Sequence, residues 1–222
     1  MTDDFDRKWL ETVTQHPWIE ATYTLIGLTR LGERPTTVER LAAALERPNE
    51  EAIRLAWEAA RVRPDEQGRI HLDAPFGGSG GPSRRKLYVG DREIAVSGCA
   101  PDLLPAAAVL DVPFRVEDTC PATGAPIRIE FAPGGVERVD PAQAVVAMVS
   151  PKVASEYGEA EVEQVNQNLC SQQPFFASAE AAQGWLAAHP GGRVFPVREM
   201  ANQPLFTHAR DTWRPRILAN AA

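Results

Sequence analysis

A run rich in glycine and proline divides this chain into two parts with different hydrophobic patterns. It reads Pro-Phe-Gly-Gly-Ser-Gly-Gly-Pro-Ser-Arg-Arg over residues 75–85. Before it, apolar residues recur at helical spacing, and after it short alternating stretches are separated by Gly and Pro. A Gly/Ser-rich segment of this kind is typical of a flexible connection. We therefore predict two domains, residues 1–80 and residues 81–222.

The first part predicts a small helical module. Residues 5–31 place apolar side chains at roughly helical spacing. Thr36 or Thr37 is suited to cap a second helix, and Asn49 is suited to cap a third. Residues 69–72 alternate as in a short strand. Helices followed by a strand in this order are the outline of a winged-helix domain.

The charge of the chain argues against the DNA binding that such an outline suggests. The formal net charge is −7, whereas nucleic-acid binding needs a basic face that displaces counterions. The third helix, which would enter the groove, carries Glu50, Glu51 and Glu58, and carboxylates there would repel phosphates. We expect a structural module without a nucleic-acid partner.

The second part predicts a mixed β-sheet core flanked by helices. Residues 87–89 and 93–96 form a predicted hairpin that turns at Gly90-Asp91. Further strands are predicted at residues 114–118, 127–131, 136–139, 144–149 and 194–197, and helices at residues 99–110, 156–165, 180–189 and, in part, 200–218. With the helical first part, this pattern indicates an α+β protein.

Composition favours a cytoplasmic protein with free thiols. No apolar run approaches the roughly 20 residues that span a bilayer, so no membrane association is expected. The acidic start, Met-Thr-Asp-Asp-Phe-Asp, lacks the apolar segment of a signal peptide. The chain has three cysteines, which cannot all pair with one another, and cytosolic proteins keep cysteines reduced.

Cys99 and Asp102 have a spacing that suggests chemistry. They open the predicted helix over residues 99–110, where positions i and i+3 share one face. A helix N-terminus lowers the pKa of a thiol, and a neighbouring carboxylate can accept the thiol proton. The pair could therefore move a proton between sulfur and oxygen. The Cys-x-x-Asp motif is short, however, and a buried cysteine is often an inert hydrophobic residue.

Cys170 lies far from Cys99 in the sequence, so only the fold can bring the two sulfurs together. If it does, the options are a disulfide, a metal site or a soft-metal substrate. The four histidines show no ligand spacing, which disfavours a four-ligand zinc site, and spacing alone leaves a Cys–His protease arrangement open. Thiolates prefer soft ions, of which Hg(II) is an extreme case.

Cys120, in a turn between predicted strands, is interpreted as structural.

The order of these motifs resembles the organomercurial (alkylmercury) lyases of bacterial mercury resistance. The matching stretches are Gly-Cys-Ala-x-Asp-x-Leu-Pro from residue 98, Thr-Cys-x-Ala-Thr-Gly-x-Pro from residue 119, Cys170 five residues before Phe-Phe-Ala-Ser, and Trp185 in the helix that follows. The N-terminal helical module matches in outline. The resemblance covers most of the chain and is strongest over residues 87–200.

The resemblance implies a cofactor-free enzyme that cleaves carbon–mercury bonds by protonolysis. It implies that Cys99 and Cys170 bind mercury, that Asp102 takes up a thiol proton and then protonates the leaving carbon, and that Cys120 is structural. The expected products are a hydrocarbon and Hg(II) held by Cys99, Cys170 and Asp102. Cellular thiols or a mercuric reductase are the expected acceptors of that ion.

The sequence departs from the family pattern at four places. Gly98 stands where some members carry an aromatic residue, and Ser171 follows Cys170 where a second cysteine can occur. Pro101 interrupts the Cys–Asp spacer, and residues 157–168 resemble an insertion. These differences concern the substrate range. Two alternatives stay open: a relative with the same Cys/Asp/Cys site that acts on a non-mercurial substrate, and a winged-helix regulator that senses a thiophilic metal.

Overall fold

The computed structural model describes residues 4–73, 85–95, 99–156 and 168–221. Most of the predicted connection, Gly98 and nearly all of the predicted insertion and helix after residue 156 lie outside these ranges. Within them, no helix is long and apolar enough to cross a lipid bilayer. The division at residue 80 stays a prediction.

The N-terminal part consists of helices and a short two-stranded ladder. The helices are α1 (Asp4–Thr14), α2 (Pro17–Thr29), α3 (Val38–Leu45) and α4 (Asn49–Ala60), and the strands are β1 (Thr36–Thr37) and β2 (Arg69–Ile70). The two strands pair antiparallel. Helix α2 is buried along most of its length, so it forms the centre of this part.

The ends of α3 and α4 test the predicted caps. The Thr37 side chain accepts a hydrogen bond from the Arg40 N–H, as predicted for a cap. The predicted Asn49 cap is wrong, because Asn49 is the first residue of α4 and Pro48 precedes it without a side-chain cap. Acidic residues in the first turn of α4 complement the helix dipole instead.

Two antiparallel sheets form the second part. The larger contains β3 (Lys86–Val89), β4 (Arg92–Ala95), β5 (Phe114–Thr119), β6 (Pro126–Ala132) and β7 (Gly135–Asp140), and the smaller contains β8 (Val145–Met148), β9 (Phe175–Phe176) and β10 (Arg193–Pro196). Their orders are β4-β3-β5-β6-β7 and β10-β8-β9. The α+β class is confirmed. Every strand pair of the described residues is antiparallel rather than mixed, because short turns join most neighbouring strands of the larger sheet.

Short helices complete the second part. They are α5 (Leu103–Val109), α6 (Pro151–Ser155), α7 (Gln183–Ala188), α8 (Pro204–His208) and α9 (Arg214–Ala219), with a π-helical turn at Ala209–Trp213 between the last two. The helix predicted from residue 99 begins only at Leu103, since a turn precedes it. All of α5 is buried.

Helix α2 packs closely against α5 and α9. A Cβ atom on Gly27 would lie 2.8 Å from Ile217 Cγ2 and 3.5 Å from the Val109 carbonyl oxygen. The absence of a side chain at Gly27 therefore permits the close approach. Helix α2, from the N-terminal part, also contacts the turn that carries Cys99 and Asp102, through Tyr23.

Candidate active site

The fold brings Cys99, Asp102 and Cys170 together. The two sulfurs and a carboxylate oxygen of Asp102 all lie within 4.8 Å of one another. Cys170 Sγ is 3.8 Å from Asp102 Oδ2, although 68 residues separate the two positions. The exposed fractions of Cys99 and Cys170 are 5% and 9%, and Asp102 is partly buried. All three predicted site residues thus share one location.

A tight turn before α5 holds Cys99 and Asp102. Asp102 Oδ2 accepts a hydrogen bond of 2.7 Å from the Cys99 N–H, and the Asp102 N–H donates to the Cys99 carbonyl at 3.2 Å. A side chain that reaches back three residues to a free N–H is one half of a capping box. The two-residue spacer therefore sets the distance between thiol and carboxylate through local backbone geometry.

Cys170 lies in a short 3-10 helical turn, Cys170–Gln172, which we call the Cys170 turn. Gln173 joins this turn to the rest of the site. Its N–H donates to the Cys170 carbonyl at 3.2 Å, and its own carbonyl accepts the Ala100 N–H at 3.0 Å. Its side-chain oxygen accepts the Val149 N–H at 3.2 Å. Gln173 is 1% exposed, so these bonds form without competition from bulk water. These hydrogen bonds fix the position of the Cys170 segment relative to the turn that carries Cys99.

Burial controls the ionisation of the site. It raises the pKa of the Cys99 thiol well above its usual value, and the contact with Cys170 and the Asp102 charge raise it further. Burial also raises the pKa of Asp102, although hydrogen bonds from Cys99 and Tyr23 and the charge of Arg85 oppose it. The expected lowering of the Cys99 pKa by a helix dipole is wrong, because desolvation of the thiolate outweighs it.

Sequence comparison identifies the family. Residues 81–204 match the family model of the alkylmercury lyases, MerB. The alkylmercury lyase of Streptomyces lividans is 33% identical over 189 residues, which cover 84% of this chain and 80% of the relative. The chain belongs to the alkylmercury lyase family. The alkylmercury lyase of Bacillus cereus is 30% identical over 168 residues, covering 76% of this chain and 72% of the relative.

A solved structure shares the fold over almost the whole chain. The crystal structure of the mercury-bound form of MerB2 aligns with a TM-score of 0.55 and 15% identity, covering 96% of this chain and 98% of that chain. The predicted family resemblance is thus confirmed by sequence, and the family fold includes the N-terminal helices. The catalytic roles of the individual residues stay predictions.

Tyr23, one of the apolar positions at helical spacing in residues 5–31, contacts the candidate site of this lyase-family chain. Its side chain is buried, with 4% exposed, but its hydroxyl donates to Asp102 Oδ1 at 3.1 Å. Helical periodicity shows which face of α2 is buried and not which partner a hydroxyl finds. The available signal was chemical, since a buried tyrosine hydroxyl usually needs a hydrogen-bond acceptor.

Trp185 supports the Cys170 turn from its outer side. Its indole N–H donates to the Gln172 carbonyl at 2.7 Å. The indole stacks on His189 with ring centroids 4.3 Å apart, and a Cβ atom on Gly192 would lie 2.9 Å from it. Trp185 therefore packs against the core and also makes a hydrogen bond to the backbone of the site.

Arg85, the last residue of the predicted connection, is part of the buried interior. Its guanidinium pairs with Asp118 at 3.1 Å, and the two side chains are 8% and 2% exposed. It also lies 5.2 Å from the ring centroid of Phe175, in β9. A charged residue in a Gly/Ser-rich run is normally exposed to solvent. The burial of Arg85 therefore results from tertiary contacts and could not be predicted from the composition of the run.

Cys120 lies outside the cluster that Cys99, Asp102 and Cys170 form. It is 1% exposed, and its N–H donates to the Ala125 carbonyl at 2.9 Å in the turn between β5 and β6. Burial raises the pKa of its thiol, but hydrogen bonds from the Thr123 hydroxyl and the Ala177 N–H, among others, outweigh that effect and lower it. These contacts fit the predicted structural role.

Proposed function

We propose that the chain is an organomercurial lyase that releases a hydrocarbon and Hg(II) by protonolysis of a carbon–mercury bond. One observation carries the proposal: in a member of the alkylmercury lyase family, two cysteine sulfurs and a carboxylate oxygen lie within 4.8 Å of one another. Cys99, Asp102 and Cys170 are the proposed catalytic residues. Hg(II) is substrate metal and product, and no resident cofactor is required.

The sulfur pair suits a single soft ion. Metal–thiolate bonds are about 2.3 Å for zinc, so two sulfurs on opposite sides of one ion lie about 4.6 Å apart. Sulfurs of Cys99 and Cys170 that lie within 4.8 Å of each other are close enough for both to bind one such ion. Burial raises the pKa of the Cys99 thiol, so this thiol loses its proton readily only when the sulfur gains a stronger partner. A soft cation is such a partner.

The proton balance of the reaction follows from the two thiols. A mercurial R–Hg–SR′ enters as the adduct of a cellular thiol, two S–Hg bonds form with Cys99 and Cys170, and the C–Hg and original Hg–S bonds break. One thiol proton ends on carbon and the other on the departing R′S⁻. Asp102 Oδ2, 3.8 Å from Cys170 Sγ, is the proposed carrier that accepts a proton from sulfur and delivers it to carbon.

The setting of the reaction is also a proposal. A cytoplasmic location fits reduced cysteines, and the three cysteines are free in the structure. Cellular thiols or a mercuric reductase would then remove Hg(II). The N-terminal helices would form a winged-helix module without a DNA partner, because α4 carries Glu50, Glu51 and Glu58, and Arg54 pairs with Glu51 and Glu58.

Hydrocarbon release tests the function directly. Purified protein is incubated with methylmercury or phenylmercury and excess thiol, and methane or benzene is measured by gas chromatography. Release well above the thiol-only rate is the expected result. Tight 1:1 binding of Hg(II) without any hydrocarbon above that background would reject the lyase and favour a relative with a non-mercurial substrate.

Cys120→Ala is expected to destabilise the fold by about 1–3 kcal/mol, because it removes a buried sulfur that accepts hydrogen bonds. The turnover rate of the folded variant should stay within about twofold of the parent, since Cys120 lies outside the cluster. Denaturant unfolding measures the first quantity and benzene release the second. A fully folded variant that lost turnover would show that Cys120 acts in the chemistry.

A further inference from the structure

The N-terminal part contributes a fixed hydroxyl to the candidate active site. Tyr23 donates to Asp102 Oδ1 at 3.1 Å, and its ring stacks on Trp213 with centroids 5.5 Å apart and planes inclined by 13°. Trp213 is itself 3% exposed and makes an edge contact with His208. The aromatic packing therefore holds the hydroxyl against the carboxylate.

The two oxygens of Asp102 have different partners. Oδ1 accepts the Tyr23 hydroxyl, whereas Oδ2 accepts the Cys99 N–H at 2.7 Å and faces Cys170 Sγ at 3.8 Å. With a donor on each oxygen, the carboxylate plane cannot turn without losing a hydrogen bond. Oδ2 is the oxygen that faces the Cys170 sulfur.

We propose that Tyr23 is a positioning residue of the lyase, which occupies Oδ1 of Asp102 and thereby directs proton transfer through Oδ2. The inference rests on the proposed function and adds a residue that neither the motif pattern nor the sequence comparison points to. It also gives the N-terminal module a part in the chemistry, beyond the structural role that its charge pattern predicted.

Tyr23 acts here as a hydrogen-bond donor to Asp102 and does not transfer its own proton. Burial, the Asp102 charge and the Cys99 thiol raise the pKa of its hydroxyl well above the usual value, so it stays protonated during turnover. The other groups that bear on the ionisation of Asp102 are the Cys99 thiol and N–H and the Arg85 guanidinium, with the Cys170 thiol beside Oδ2. Of all these groups, Tyr23 is the one whose hydroxyl donates a hydrogen bond to Oδ1.

Tyr23→Phe isolates the hydroxyl, because phenylalanine keeps the ring that stacks on Trp213. We expect kcat to fall about 10- to 100-fold, in the range that a misplaced catalytic group costs. KM and the stoichiometry of Hg(II) binding should stay within about twofold, since both sulfurs are untouched. Rates are expressed per site titrated with Hg(II), so that any loss of folded protein does not enter kcat.

Tyr88→Phe is the matched control. Its hydroxyl also donates to a carboxylate at 3.1 Å, that of the exposed Glu93 in the β3–β4 hairpin, and its removal should leave kcat unchanged. A kcat of Tyr23→Phe within twofold of the parent, or a change in KM alone, would overturn the proposal. In that case the parent still releases hydrocarbon, whereas failure of the proposed function would appear as no release from the parent itself.

Discussion

Cys170→Ala should abolish hydrocarbon release, with kcat at least about 1,000-fold below the parent. One sulfur, Cys99, would remain and could still form a mercury–thiolate bond. A single thiolate, however, produces only the kind of adduct that cellular thiols form in solution, and the carbon–mercury bond persists in it. The second sulfur adds electron density to mercury and shifts charge toward carbon, which makes the carbon basic enough to take a proton.

Cys170→Ser makes this prediction sharper. Serine is close in size and can keep the contact with Asp102 Oδ2, but its hard oxygen is a poor ligand for a soft ion. We expect the serine variant to be as inactive as the alanine variant, with unchanged thermal unfolding. Phenylmercury and gas chromatography of benzene provide the measurement. A serine variant with more than about a tenth of the parent rate would mean that one thiol suffices.

Asp102→Asn should separate mercury binding from bond cleavage. The amide has the same shape, and its nitrogen can face the Tyr23 oxygen while its oxygen accepts the Cys99 N–H. It cannot carry the proton, so kcat should fall about 100- to 10,000-fold, the usual contribution of a positioned acid or base. Hg(II) binding should persist, because the sulfurs of Cys99 and Cys170 both remain.

Intact-protein mass spectrometry can detect the species that this variant accumulates. After incubation with phenylmercury, Asp102→Asn should carry the organic group and mercury together, whereas the parent should carry mercury alone. Asp111→Asn is a suitable control, because Asp111 lies beyond the far end of α5 and makes a part-buried ion pair with Arg30 at 2.8 Å. Retained benzene release by Asp102→Asn would remove Asp102 from the proton path.

Local features of the chain were largely predictable from the sequence. The hairpin at residues 86–95 forms with the expected turn at Gly90, because alternation and turn residues act over short distances. The Thr37 cap formed for the same reason. The Cys-x-x-Asp spacing also anticipated the contact between Cys99 and Asp102, since a single turn of backbone controls it.

Features that depend on packing were harder to predict. The helix dipole predicted a lowered Cys99 pKa, but the degree of burial of a thiol is known only from the fold, and burial reversed the direction of the shift. Arg85 belonged to a run with the composition of a linker, yet it is buried against Asp118. The family resemblance supplied the pairing of Cys99 with Cys170, which spacing alone left open.

The sequence by itself determined the family and the α+β class, and it predicted the three candidate site residues, because motif order and short-range spacing can be observed directly in the sequence. Only the tertiary structure decided that the sulfurs of Cys99 and Cys170 lie within 4.8 Å, and that Tyr23 from α2 donates to Asp102. Both contacts join residues far apart in the chain. They exist because α2, α5 and the Cys170 turn bury their apolar faces against one core, and that packing also sets how strongly each ionisable group is desolvated.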